Sequence, residues 1–217
     1  MRPYIQREAG PAPSPAETRS TTRELRRARA AGRSGGPAFA GGRPTARLVD
    51  PALPAPSLAI DAGRGWVTAA VDLACPPERA YRMLVTAETE RWWGSPETYR
   101  MRDWNAELRV GGSWRVLVCF VGQEPVAASG EFVEFDAPER IVQTRRYEFD
   151  HPSLGRRDTT VSYLLEPRGS GSRLTVHHDG FRGLDTAAAE HAFGWERALT
   201  WLEAYARRVR AEEGVTL

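Results

Sequence analysis

His177-His178-Asp179, His191, Tyr147 and Arg145 are the side chains whose types and spacing suit proton transfer, metal binding or anion recognition. A metal site at His177-His178 meets a geometric obstacle. Adjacent residues of a strand point to opposite faces, so both imidazoles reach one ion only across a bulge. His178, Tyr147 and Arg145 together could polarise a carbonyl and move a proton, as general acid–base catalysis requires. His178 reads first as a hydrogen-bonded core histidine and second as a ligand contact or proton-transfer group. No nucleophile with an adjacent base accompanies the group. Gly111-Gly112 reads as a hairpin turn, since a phosphate loop would run into a helix there.

The elements that carry these residues follow from periodicity. Residues 66–73 alternate and are rich in β-formers, predicting a first strand. Pro76-Pro77-Glu78 opens a helix with proline at its first positions and an acid in its first turn. Ala80, Tyr81, Leu84 and Val85 form its apolar face. A second short helix spans 89–93 and stops at Gly94 and Ser95-Pro96. Strands are predicted at 102–110, 113–121, 126–135, 141–149, 159–165 and 173–178. Their Gly- and Pro-rich punctuation is that of antiparallel neighbours. After Gly180-Phe181 the period changes from two to 3.6, and His191, Trp195, Ala198, Leu199, Leu202, Tyr205 and Ala206 share one helical face.

Alternation places Trp114, Val116, Val118 and Phe120 on one face of their strand, and Gln143, Arg145 and Tyr147 on one face of theirs. Val161, Tyr163 and Leu165 make a third such set; Leu174, Val176 and His178 make a fourth. Whether Arg145 points inward depends on register, because a slip of one residue moves it to solvent. Inward, it needs a carboxylate or a ligand anion; outward, a neighbouring glutamate would pair with it.

Residues 1–60 are dominated by Pro, Gly, Ala, Ser and Arg, a composition that buries too little to offset backbone ordering, and are expected to be a disordered basic tail. Residues 1–57 carry a net charge of +6 and the remainder −4. The tail reads as a solvated arm, as an electrostatic arm or as the product of a misassigned start. It lacks the interleaved aromatics that stack bases, which argues against a nucleic-acid partner. No stretch approaches the roughly 18 apolar residues that span a bilayer. Arg26-Arg27 is followed by arginine, alanine and glycine where an export signal needs an apolar segment. Two cysteines, Cys75 and Cys119, do not make a disulfide framework. A cytoplasmic location is therefore expected. All 30 basic residues other than histidine are arginine, which reflects coding bias rather than chemistry.

The element order β-α-α-β6-α comes with Cys75-Pro76-Pro77-Glu78-Arg79-Ala80-Tyr81, Trp92-Trp93 and Leu108-Arg109-Val110-Gly111-Gly112. Pro138-Glu139-Arg140-Ile141-Val142, Leu174-Thr175-Val176-His177-His178-Asp179-Gly180-Phe181 and Gly194-Trp195 complete the set. In this order the motifs resemble the START-like, SRPBCC superfamily, and within it the activator of Hsp90 ATPase homologue branch, over about residues 66–208. The resemblance implies an α+β helix-grip (Bet v 1-like) fold. A seven-stranded curved antiparallel sheet would close around the long C-terminal helix, with a hydrophobic pocket between them. The expected organisation is a tail at 1–60, a domain at 61–210 and a short tail at 211–217.

The expected role is binding of a mainly apolar or amphipathic small molecule with one polar or acidic end. Cofactor and metal are not expected. The expected ligand-binding side chains are Trp92, Trp93, Trp114, Val116, Val118, Phe120, Arg145, Tyr147, Tyr163, His178, His191, Trp195 and Leu199. Two alternatives stand beside this role: a polyketide cyclase-like or hydrolase-like enzyme using His178 and Tyr147, and a co-chaperone-like module that acts on a partner protein.

Overall fold

A computed structural model describes residues 55–214. The elements are β1 (Ser57–Asp61), β2 (Trp66–Leu73), α1 (Pro77–Val85), α2 (Thr89–Trp92), β3 (Tyr99–Ala106), β4 (Ser113–Phe120), β5 (Val126–Asp136), β6 (Arg140–Tyr147), β7 (Thr159–Arg168), β8 (Gly171–Asp179) and α3 (Asp185–Gly214). One antiparallel sheet holds all eight strands in the order β1-β2-β8-β7-β6-β5-β4-β3. The chain leaves β2, crosses through α1 and α2 to the far edge, and meanders back until β8 pairs with β2. α3 then lies against β2 and β1 and touches α2.

The architecture is the expected α+β helix-grip arrangement, with eight strands where seven were expected. The added strand is β1, which pairs along the otherwise open edge of β2, from Ser57 opposite Ala70 to Asp61 opposite Trp66. Its five residues sit at the end of a Pro- and Ala-rich stretch whose composition hides them, and Leu58 and Ile60 pack against the core. Apart from these last positions, the tail expected at 1–60 lies outside the described residues. The C-terminal boundary moves as well, since α3 continues to Gly214 through most of the tail expected at 211–217. Residues 215–217 lie outside the described residues.

The β1–β2 turn holds the start of α3 in place. Gly65 has φ +80°, and a Cβ there would stand 2.1 Å from the backbone nitrogen of Arg182. Its carbonyl accepts from the amides of Gly180 and Phe181. The positive φ and the missing room for a Cβ together require glycine here.

β3 starts earlier than its alternation suggested and ends at Ala106, and its pairing with β4 is interrupted between Arg102 and Asn105 before it resumes at Asn105 opposite Arg115. β5 carries a second irregularity between Phe132 and Glu134. Such bulges bend the strand and increase its local twist. The helix answers with small residues: Ala187, Ala188, Ala192, Ala198 and Ala206 are buried and let its backbone come close to the strands. The core between them contains Val67, Val161, Leu165, Leu174, Val176, Leu199 and Leu202, all at most 2 % exposed.

Candidate functional site

Between the inner face of the sheet and the first half of α3 lies a cavity of about 90 Å³. Trp93 after α2, Tyr99 and Met101 of β3, Val118 and Phe120 of β4, Arg145 and Tyr147 of β6, and His178 of β8 line it, together with His191 and Trp195 of α3. The loop after β6 adds Phe149 and His151, while Glu190 and Arg197 stand exposed at the mouth. A cavity of about 150 Å³ accommodates benzene, so the interior suits a group of only a few heavy atoms.

Arg145 is the charge at its centre. Its backbone pairs with Thr159 of β7, and this register sends the side chain inward, where the residue is 7 % exposed. Among the described residues no carboxylate lies within ion-pairing distance of its guanidinium, so the outward pairing with a glutamate is not what the fold uses. Instead three rings surround the cation: its central carbon lies 5.6 Å from the Trp93 ring, 5.7 Å from Trp114 and 5.6 Å from Tyr147. These faces offset part of the desolvation cost of a buried cation.

Trp114 reaches Arg145 by crossing the sheet. Its ring passes over Gly130 of β5 and its Nε1–H donates to the Thr144 carbonyl of β6 at 3.2 Å. A Cβ at Gly130 would sit 1.9 Å from that carbonyl oxygen and 2.8 Å from the Trp114 Nε1. Glycine is therefore required for the indole to lie beneath the arginine.

His178 is locked by a chain of hydrogen bonds with one polarity. The Trp195 Nε1–H, which can only donate, bonds His178 Nδ1 at 3.0 Å, so that nitrogen carries no proton. His178 Nε2–H donates to Thr159 Oγ1 at 2.9 Å, and Thr159 Oγ1 donates to the Arg145 carbonyl at 3.2 Å. Complete burial lowers the His178 pKa well below the ordinary histidine range, and His191 and Arg145 push it the same way. Both nitrogens are engaged, and through Thr159 the chain connects His178 to the Arg145 backbone. His177 points to the other face, where its Nδ1 meets Thr68 Oγ1 at 3.1 Å and its ring tilts against Trp66.

His191 is neutral by the same reasoning. Its Nδ1–H donates to the Ala187 carbonyl at 2.8 Å, one turn back, and desolvation lowers its pKa to about 3. Its Nε2 therefore accepts from the Tyr147 hydroxyl at 3.3 Å. The phenolic oxygen keeps its lone pairs for another donor. Tyr147 also stacks on His151, ring centroids 4.7 Å apart. His151 Nδ1 accepts from the Leu154 amide at 3.3 Å, and burial lowers its pKa to about 4. At neutral pH the cavity interior thus holds one cation and three uncharged imidazoles.

Five of the side chains expected at the ligand stand elsewhere. Trp92 is buried within the helical layer, donating to the Met83 carbonyl at 2.9 Å and stacking on Trp93. Trp114 supports Arg145 from behind. Val116, Tyr163 and Leu199 belong to the packed core, and burial raises the Tyr163 pKa to about 12. The side chains that sequence reasoning missed include Tyr99 and Met101, which precede the predicted start of β3, and His151, which sits in a loop without periodicity. Glu190 and Arg197 flank His191 and Trp195 at helical spacing, a pattern that could have indicated the rim.

This arrangement, a curved antiparallel sheet closed over a small cavity by one long helix, defines a helix-grip domain. The family model for Activator of Hsp90 ATPase homolog 1-like protein matches residues 74–207, and the chain belongs to that family. Solved structures share the fold. A Chromobacterium violaceum protein is 26 % identical over 65 % of this chain and 96 % of its own, with a TM-score of 0.57. An Arthrobacter aurescens protein, 18 % identical, covers 70 % of this chain and 91 % of its own with a TM-score of 0.60. An AHSA1 protein from Silicibacter pomeroyi is 21 % identical over 65 % of this chain and 96 % of its own, with a TM-score of 0.54. No curated protein matches the chain. No helix among the described residues is long and apolar enough to cross a membrane.

Proposed function

We propose that the domain is a binding module for a small organic acid whose carboxylate sits on Arg145 and whose apolar remainder contacts Trp93, Phe120 and Trp195. The unpaired, ring-walled guanidinium of Arg145 carries this reading. A buried cation without a counter-ion is costly, and an incoming carboxylate removes that cost while forming charge-assisted hydrogen bonds. The Tyr147 hydroxyl, already donating to His191, keeps its lone pairs for a water or for a hydroxyl group on the ligand. The volume of about 90 Å³ favours a short acid over a long acyl chain, whose tail would have to pass the mouth. Catalysis through His178 is not part of the reading, because both its ring nitrogens are engaged. Hsp90 activation, which the family's name carries, is not part of it either. A cytoplasmic setting agrees with Cys75 and Cys119 standing as free thiols.

The test compares an acid with its uncharged isostere. Titrating the full-length protein with propionate and with propionamide, followed by tryptophan fluorescence, should show tighter binding of the acid. Arg145→Gln should cancel the difference. Equal affinity for the two compounds, or a preference that survives in the variant, would overturn the assignment.

A further inference from the structure

Arg197 is the second cation of the cavity. It stands at the mouth on α3, and among the described residues it too has no carboxylate within ion-pairing distance. Its guanidinium is held by rings, with the central carbon 5.8 Å from the Tyr99 ring and 5.8 Å from Trp201. Tyr99 connects the two arginines. It shares the cavity wall with Trp93, against which Arg145 rests, and both cations act electrostatically on its hydroxyl.

The rim carboxylate lies on the other side. Glu190 precedes Arg197 by seven residues of helix, a rise of about 10 Å, and is tied through its Oε2 to the Ser153 hydroxyl of the loop after β6. Charge at the mouth is thus segregated, negative toward the loop and positive toward β3. A ligand that extends from Arg145 past Tyr99 meets Arg197 and avoids Glu190.

From this we infer that the preferred ligands are short diacids, with one carboxylate on Arg145 inside and the second on Arg197 at the rim. The inference rests on the carboxylate reading of Arg145 and adds the class of acid. Two cations without carboxylate partners that line the same cavity match two anions joined by a short chain. A monoacid would leave Arg197 facing solvent.

Succinate, succinamate and propionate separate the two claims when titrated calorimetrically into the full-length protein at low ionic strength. Succinate should bind about three- to fivefold more tightly than succinamate, the range of one favourable exposed ion pair. Raising the salt should shrink the gap. Arg197→Gln should bring succinate down to the affinity of succinamate, and Arg197→Lys, which keeps the charge, should retain most of the preference. Propionate binding without any advantage of succinate over succinamate overturns the diacid inference alone, as does an advantage that persists in Arg197→Gln. Failure of propionate and succinate alike to bind overturns the carboxylate reading of Arg145 together with it.

Discussion

Lowering the pH from 7.5 to 5 should destabilise this domain, and the loss should come from its histidines. His151 is 4 % exposed and its pKa is lowered by burial to about 4, from about 6.5 in an unfolded chain. A group whose folded pKa is depressed adds stability that is complete above the unfolded pKa and is lost as pH falls toward the folded one. The unfolded state binds the proton first. Between pH 7.5 and 5, His151 alone therefore costs about 2 kcal/mol. His191, lowered to about 3 but reaching into the cavity, contributes about 1 kcal/mol after discounting for solvent at its edge. His177 and His178 are lowered as well and act in the same direction. The paired acids Glu88, Glu148 and Asp158 are also lowered, so their contribution starts to be lost as the pH falls through the ordinary carboxylate range and goes mainly below pH 5. The window from 7.5 to 5 thus isolates the imidazoles. Urea unfolding at the two pH values should differ by about 3 kcal/mol or more, a large share of a typical stability of about 5–15 kcal/mol. His151→Phe should remove about 2 kcal/mol of that dependence. A difference below about 1 kcal/mol, or greater stability at pH 5, would show that these imidazoles are not buried as neutral groups.

Two substitutions probe the supports of Arg145. Gly130→Ala should destabilise by about 2–3 kcal/mol in urea unfolding, because its Cβ has no room against the Thr144 carbonyl, and should weaken propionate binding by displacing Trp114. Unchanged stability would mean that Trp114 does not cross the sheet there. Trp195→Phe keeps most of the ring but leaves the buried Nδ1 of His178 without its donor, at an expected cost of about 1–3 kcal/mol by the same assay. A neutral outcome would sink the proposed direction of the hydrogen-bond chain.

Much of this site is legible from alternation. The two-residue period of β6 puts Gln143, Arg145 and Tyr147 on one face, and that of β8 does the same for Leu174, Val176 and His178. All of these but Tyr147 prove buried. Alternation says nothing about which face is inner, and only the pairing of Arg145 with Thr159 decides it. Trp92 and Trp93 show the opposite limit. They are neighbours at the end of a helix of four residues, too short for a 3.6-residue period to tell which ring meets the cavity. Trp114 reads as an inward residue, and it is; that it crosses to Thr144 depends on Gly130 in another strand. His151 enters the cavity from a loop, where no period operates. β1 escaped notice because five strand residues follow a stretch whose average composition is that of a tail.

A crystal structure of the full-length protein with propionate tests the central claim most directly. The carboxylate oxygens should lie about 2.7–2.9 Å from the guanidinium nitrogens of Arg145, with Trp93, Trp114 and Tyr147 still around the cation. Propionate bound away from Arg145, or an Arg145 side chain turned out of the cavity to pair with a protein carboxylate, would contradict it.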